Sequence, residues 1–396
     1  MSQLPKNACI YPFKAAMLQH GIPATPCCRF HSRFLGQGDN ENIDAYGASF
    51  ADIRETMMRN EWHPGCFKCK ADEETKGSSM RTEADDLFKD FDAEPKLQYL
   101  EITVGRLCNL ACYSCGPEFS HTWDKDAVEF DVVTKHKLNL LKNLPQELDL
   151  DNIDTSLLKE LKHIKVTGGE PFLHRQFLNF VVRLAKEGLA PQIKLEIFTN
   201  CTWYPGKLEM DSLLQFKKVK LMASLDGYGR VNELIRYPSK WDKVEGTLDK
   251  WIDVRGKYSE KKLEIGAATT VTVRNAPHMF EYMHWARVHK GILVVLQTVY
   301  EPHHLSITHW PDWYKKTLDF TIEQQYKGWN NRAGKLKPAY DLLKRLCQTK
   351  TTKHQVKEDK SEKYIDTMVK QFNHRKQNIE DAPLFLEILR YNDRQV

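Results

Sequence analysis

Residues 97–115 read LQYLEITVGRLCNLACYSC: a β-forming apolar run, then Gly105, then Cys108, Cys112 and Cys115 in CxxxCxxC spacing. Three thiolates do not close a tetrahedral structural zinc site. They do hold a cubane of four irons and leave one iron open to a ligand. An open iron implies chemistry, and the end of a strand is where a barrel carries its active site.

Outward from this stretch, strand-like and helix-like runs alternate. The strand-like runs are 97–104, 164–167, 193–198, 219–225, 262–273 and 292–299; the helix-like runs between them are 128–144, 172–186, 210–216, 241–255 and 277–290. Leu173, Phe177, Phe180, Val181 and Leu184 recur at helical spacing, whereas Leu195–Phe198 is short and β-rich. Repeated strand–helix units imply a parallel sheet. The fold class is therefore α/β, a partial (β/α)6 TIM-type barrel over 96–300, with an open doubly wound sheet as the alternative. The run from Ala71 to Lys96 is rich in charge and poor in aliphatics, which places a linker at 76–95 and sets residues 1–75 apart as a small cysteine-rich N-terminal domain. After Val299 the pattern turns aromatic and helical, so 301–396 form a helical C-terminal extension, with 350–363 read as solvated helix or loop. Trp310, Trp313, Tyr314 and Phe320 are expected to cap the open side of the barrel as packing groups, and His303 and His304 to form a surface pair.

Composition narrows the function. The 396 residues are 41% hydrophobic, and 58 Lys and Arg against 53 Asp and Glu leave a net charge of +5, too small for a polybasic nucleic-acid binder. No apolar run approaches the roughly 18 residues of a membrane span, and MSQLPKNACIYPFK lacks the apolar stretch of a secretion signal. A cytoplasmic protein is expected. Disulfides rarely persist there, so the ten cysteines point to metal or redox chemistry. Cys201 and Cys347 stand alone and read as small buried apolar residues.

A second motif, VTGGEPFLH, places Gly168, Gly169 and Glu170 at the end of the next strand. Adjacent glycines let backbone approach a ligand closely, and a carboxylate beside them suits an ammonium group. CxxxCxxC after one strand and GGEP after the next resembles the radical S-adenosylmethionine enzymes, whose hallmark carries an aromatic where Tyr113 stands. The resemblance extends to EIFTN (196–200), SLDG (224–227) with Ile235 and Arg236 beyond it, and TVTVRN (270–275). It implies that Cys108, Cys112 and Cys115 bind a [4Fe-4S] cluster whose open iron is chelated by S-adenosylmethionine. It also implies that Gly168, Gly169 and Glu170 hold the cosubstrate's amino group, that Tyr113 flanks the adenine, and that Thr199, Asn200 and Ser224 line the same site. Electron transfer from such a cluster into the sulfonium gives methionine and a 5′-deoxyadenosyl radical, which abstracts hydrogen from substrate. Asp226 is the one catalytic candidate, read either as a proton acceptor or as a turn residue before Gly227.

Cys9, Cys27, Cys66 and Cys69 supply four further thiolates, and spacing alone permits zinc or an iron–sulfur cluster. Their surroundings, PCCRFHSRFLGQ, GASFADIRETMMRNEW and GCFKC, resemble the twitch and SPASM auxiliary-cluster modules, which implies one auxiliary [4Fe-4S] cluster. Cys28 is a possible ligand in place of Cys27. The module precedes the barrel here, whereas it usually follows it. The implied substrate is a peptide or protein side chain to be oxidised or cross-linked, with a small metabolite or nucleotide derivative as the alternative. The electron donor would be a flavodoxin or ferredoxin. A zinc-stabilised RNA-binding protein, with Arg29, Arg33, Lys68 and Lys70 on phosphates, is the reading from a different class.

Overall fold

The structure is a computed structural model that describes residues 5–35, 50–84, 94–299, 301–329, 333–349 and 361–390. Its centre is one open eight-stranded sheet: β1 (Ala15–Gln19), β2 (Ile22–Thr25), β3 (Tyr99–Thr103), β4 (His163–Thr167), β5 (Lys194–Thr199), β6 (Lys218–Ser224), β7 (Leu263–Val271) and β8 (Leu293–Thr298), in the spatial order β2-β1-β3-β4-β5-β6-β7-β8. From β3 to β8 every neighbouring pair is parallel and follows chain order. These are the six strands expected from the sequence.

Helices cover the sheet because their apolar faces match it. In Arg175–Lys186, Phe177, Phe180, Val181 and Leu184 recur at helical spacing and are all buried. Trp241–Tyr258 buries Trp241, Val244, Leu248 and Trp251, and Met279–Val288 buries Met279, Phe280, Tyr282 and Trp285. β3 is buried along its whole length, whereas β8, at the edge, exposes every second residue.

The N-terminal segment joins the sheet. β1 and β2 form an antiparallel hairpin across His20 and Gly21, with Gly21 at φ 73°, and β1 then runs parallel to β3 over Ala15–Gln19 against Tyr99–Thr103. Ala8, Cys9, Phe30, Phe50, Ile53 and Met57 share a continuous core with Leu100 and Ile102. Part of the segment expected as a small cysteine-rich domain thus extends the sheet. The expected linker is partly packed as well. Ser79 and Ala84 are buried, while 85–93 lie outside the described residues.

The C-terminal extension is helical as expected, with helices Asp312–Gly328, Ala333–Gln348, Ser361–Arg375 and Pro383–Arg390. Trp310 and Tyr314 are fully buried, and Tyr314 donates to the Val273 carbonyl at 2.6 Å just beyond β7. Phe320 is exposed. Of the charged stretch 350–363, residues 350–360 lie outside the described residues.

Candidate active site

The cysteine loop leaves the C-terminal end of β3 and is fixed by its own polar groups. Arg106 is buried, donates from Nε to the Pro117 carbonyl at 2.9 Å and pairs with Asp124. The Cys108 N–H donates to His121 Nδ1 at 3.2 Å, Thr122 Oγ1 donates to the Cys108 carbonyl at 2.6 Å, and Trp123 Nε1 to the Cys112 carbonyl at 3.0 Å. From the far end of the chain, Arg375 Nη1 donates to the Ala111 carbonyl at 2.7 Å. With its backbone so committed, the loop gathers Cys108, Leu110, Cys112 and Cys115 into one small cluster.

The thiols of that loop stand in a setting hostile to free thiolate. Burial, then the charge of neighbouring Cys112, pushes the Cys115 thiol up to about 12, and the same two causes raise Cys108. Asn200 Nδ2 lies 3.8 Å from Cys108 Sγ, and Arg236 Nη1 lies 3.9 Å from Cys112 Sγ, so hydrogen-bond donors already face the sulfurs. Among the described residues no three His, Cys, Asp or Glu side chains stand close enough to share one metal ion. A cubane instead seats each thiolate on its own iron.

The glycine pair serves the same loop. Gly168 has φ 116°, a Cβ on Gly169 would sit 2.2 Å from the Leu107 carbonyl oxygen, and the N–H groups of Gly169 and Glu170 donate to the Gly105 and Leu107 carbonyls, both at 2.9 Å. The GGE turn therefore lies directly on the chain leading into Cys108. Its carboxylate points inward. Glu170 is fully buried and accepts from Thr199 Oγ1 at 2.7 Å, Asn200 N at 2.7 Å and Phe172 N at 3.3 Å, tying the ends of β4 and β5 together. Burial outweighs those donors and pushes it up to about 7. Those three donors hold the carboxylate toward the end of β5.

Asp226 is also committed. It is fully buried, ion-pairs with Arg236 at 2.9 Å and accepts from Thr270 N at 2.8 Å, while Asn275 Nδ2 ties the Asp226 and Thr270 carbonyls together at 2.9 Å each. The turn reading of this residue agrees with the structure better than the proton acceptor. Thr199 and Asn200 end β5 and are buried; Ser224 ends β6 and is half-buried. Tyr113 is buried, donates to Gln377 Oε1 at 2.6 Å, and has two guanidinium groups over its ring, Arg274 at 3.9 Å and Arg375 at 4.4 Å.

Beside this loop opens a cavity of about 750 Å³. Its wall includes Tyr113 and Cys115 from the cysteine loop, His303 and His304 from the turn after β8, and Lys363 and Gln371 from the helix Ser361–Arg375. His304 is half-buried, and burial, then the charge of Arg274, holds its imidazole down at about 3.

The N-terminal cysteines also converge. The thiol of Cys9 lies in the field of Cys66 and Cys69, that of Cys27 in the field of Cys9, and that of Cys66 in the field of Cys27 and Cys69; burial pushes Cys9 and Cys66 up to about 12. Local packing explains the meeting. A Cβ on Gly65 would sit 2.4 Å from the Phe30 ring, Phe30 stacks on His63, and the His31 N–H donates to the Gly65 carbonyl at 3.1 Å, so the segment before Cys66 rests on the turn after Cys27. Arg81 closes the other side, donating to the Lys6 and Ala8 carbonyls at 3.0 and 3.1 Å and to Glu73 at 2.9 Å. Cys28 is exposed, with its sulfur 3.7 Å from Met80 Sδ.

No protein-family model matches the sequence, and no curated protein matches it. Solved structures do show a likeness. One is anSMEcpe with bound AdoMet and the Cp18Cys peptide, at 18% identity over 60% of this chain and 62% of that one, with a TM-score of 0.37. A histidine-tagged form of anSMEcpe with bound AdoMet gives 18% identity, 60% and 61% coverage, and a TM-score of 0.40. SuiB of Streptococcus suis bound to its precursor peptide SuiA gives 14% identity, 61% and 44% coverage, and a TM-score of 0.29. The chain thus spans less than two thirds of each of these proteins.

Several site residues are invisible as such in the sequence. Arg375, Gln377 and Gln371 reach the site from more than 90 positions away from their partners. Arg274 did carry a signal: a cation inside the apolar run TVTVRN.

Proposed function

We propose that the chain is a radical S-adenosylmethionine enzyme that holds a [4Fe-4S] cluster on Cys108, Cys112 and Cys115. The observation that supports this most is the three-thiol cluster at the C-terminal end of β3, buried, mutually repelling if ionised, and faced by the donors of Asn200 and Arg236. Metal coordination is the state that relieves such a group, because it takes the thiolate form without leaving bare charge. When bound, the reduced cluster would supply one electron to the sulfonium of S-adenosylmethionine, whose C–S bond would break to give methionine and a 5′-deoxyadenosyl radical able to take hydrogen from substrate.

The chain's own residues do the rest. Gly168 and Gly169 allow the β4 turn to rest on the cysteine loop and fix its path, and Glu170 braces that turn against β5. Arg236, held by Asp226, sets a positive charge beside Cys112. Tyr113, Asn200, Thr199 and Ser224 border the space in which the cosubstrate would lie. The cavity walled by Tyr113, Cys115 and His304 offers room for substrate beside the cysteine loop.

In this reading Cys9, Cys27, Cys66 and Cys69 carry one auxiliary [4Fe-4S] cluster. Their mutual fields support the set, and the exposed, Met80-directed sulfur of Cys28 favours Cys27 as the ligand. The substrate is a peptide or protein side chain that is oxidised or cross-linked, an auxiliary cluster on these four thiols would supply one-electron redox chemistry, and a flavodoxin- or ferredoxin-type protein is the reductant. Among the described residues no helix is long and apolar enough to cross a membrane.

The test is metal content after anaerobic reconstitution. Roughly 8 irons per chain are expected for two cubanes, and roughly 4 after Cys66→Ala with Cys69→Ala. Zinc without iron would overturn the reading in favour of a binding module, and unchanged iron in the double variant would remove the auxiliary cluster.

A further inference from the structure

The sheet has two open edges, and they are built differently. β2, at one end of the strand order, is short and carries Pro23, which offers no backbone N–H to a further strand. β8, at the other end, reads LVVLQT over Leu293–Thr298, with no charge and no proline. Leu293 is 65% exposed and Val295 48%, while Val294 and Leu296 pack on the core. Among the described residues no strand lies beyond β8, and its pairing with β7 runs without a bulge. Edges are ordinarily protected by charge, proline or a bulge, because an unpaired row of N–H and C=O groups recruits another chain. β8 has none of these protections.

The register shows which backbone groups are free. Val299 N donates to the Val271 carbonyl at 3.5 Å, and β8 pairs with β7 in one register from Leu293 to Thr298. By the two-residue period of a strand, Leu293, Val295 and Gln297 turn their N–H and C=O groups toward β7, so those of Val294, Leu296 and Thr298 point away from the sheet. Donors and acceptors repeating at strand spacing match another extended backbone; a small metabolite has no such repeat. A second copy of the chain is a poor occupant, because a strand of this length spans about 20 Å and by itself covers far less than the roughly 1,200 Å² of a stable dimer. The edge also leads to the site. Just beyond its C-terminal end, Glu301, Pro302, His303 and His304 wall the cavity that includes Cys115.

We propose that the free edge of β8 binds an extended segment of the peptide substrate as a ninth strand, through the backbone of Val294, Leu296 and Thr298, and that this pairing leads the side chain to be modified into the cavity beside Cys115. Leu293 and Val295 then lie beside the residues of the added strand that share their face, and favour apolar ones there. The proposal rests on the peptide reading above and deepens it: recognition through backbone asks for a proline-free, weakly charged stretch next to the reacting side chain rather than for one fixed sequence.

The test uses the full-length reconstituted protein and a fluorescein-labelled octapeptide of alternating valine and threonine, kept soluble by a terminal pair of lysines. A counterpart N-methylated at four consecutive residues keeps the side chains and loses both pairing edges. The first peptide is expected to bind, and the second about tenfold or more weakly, from the loss of two or more backbone hydrogen bonds. Hydrogen exchange at the amides of Val294, Leu296 and Thr298 should slow at saturating peptide, while the amides of Val295 and Gln297, which face β7, stay as they are. Leu293→Lys with Val295→Lys puts charge on exposed positions, so its melting temperature should stay near that of the wild type while peptide affinity falls about tenfold or more. If that variant fails to fold, the peptide pair and the exchange pattern still decide. No binding, equal binding of the two peptides, equal binding by wild type and folded variant, or slowed exchange only outside β8 overturns the proposal. So does a wild-type dimer that the lysine variant turns into monomer with no peptide bound, which assigns the edge to a second copy. Peptide binding at β8 in a protein that holds no iron keeps the edge and removes the enzyme reading, whereas 5′-deoxyadenosine formed without peptide binding keeps the enzyme reading and removes the edge.

Discussion

Glu170 shows how much of the site is bracing. Its carboxylate receives Thr199 Oγ1 and the N–H groups of Phe172 and Asn200 in a fully buried setting, and burial holds it at about 7, above the ordinary range. The sign follows from linkage. Below pH 4.5 both the folded and unfolded chains carry the proton, and between pH 4.5 and 7 the unfolded chain loses it first, so stability falls as pH rises and levels off above 7. Relative to Glu170→Gln, which cannot ionise, the wild type should lose roughly 3 kcal/mol of unfolding free energy across that window. Urea denaturation of both proteins across that range checks it; a difference that stays flat or rises with pH would contradict the assignment. The sequence points to this residue but not to its direction, because GGE is the same string whether the carboxylate faces a ligand or the next strand.

At the scale of elements, the six strands from β3 to β8 were legible because each carries an apolar run and is followed by a helix with its own period. The hairpin β1–β2 was not. AAMLQ and IPAT are short, and only the His20–Gly21 turn between them signals a hairpin; their parallel partner lies more than 80 residues away, beyond any local pattern. The consequence is mechanical. β3 is buried throughout and becomes an open edge if β1 is removed. A fragment of residues 96–396 should therefore elute from a sizing column as aggregate, with at most a minor monomer peak. A monodisperse, cooperatively melting fragment would restore the picture of an independent N-terminal domain. Leu18, fully buried in β1, makes a milder probe, since Leu18→Ala should cost about 2–5 kcal/mol.

Across the whole molecule, both ends of the chain converge on the central barrel. The N-terminal segment adds strands to the sheet and carries Cys9, Cys27, Cys66 and Cys69, while the helix Ser361–Arg375 holds the cysteine loop through Arg375 and, just beyond it, Gln377. Motif spacing made the two groups of cysteines legible. It left the arginines and the cavity unseen, because those depend on contacts between segments hundreds of residues apart. If Cys108, Cys112 and Cys115 hold the proposed cluster, they support reductive cleavage of S-adenosylmethionine. The most direct measurement is 5′-deoxyadenosine formed by the anaerobically reconstituted, dithionite-reduced protein, compared with a variant in which these three cysteines are alanine. The wild type is expected to form 5′-deoxyadenosine and methionine, and the variant none above background. Equal formation by both, or none by an iron-loaded wild type, would contradict it.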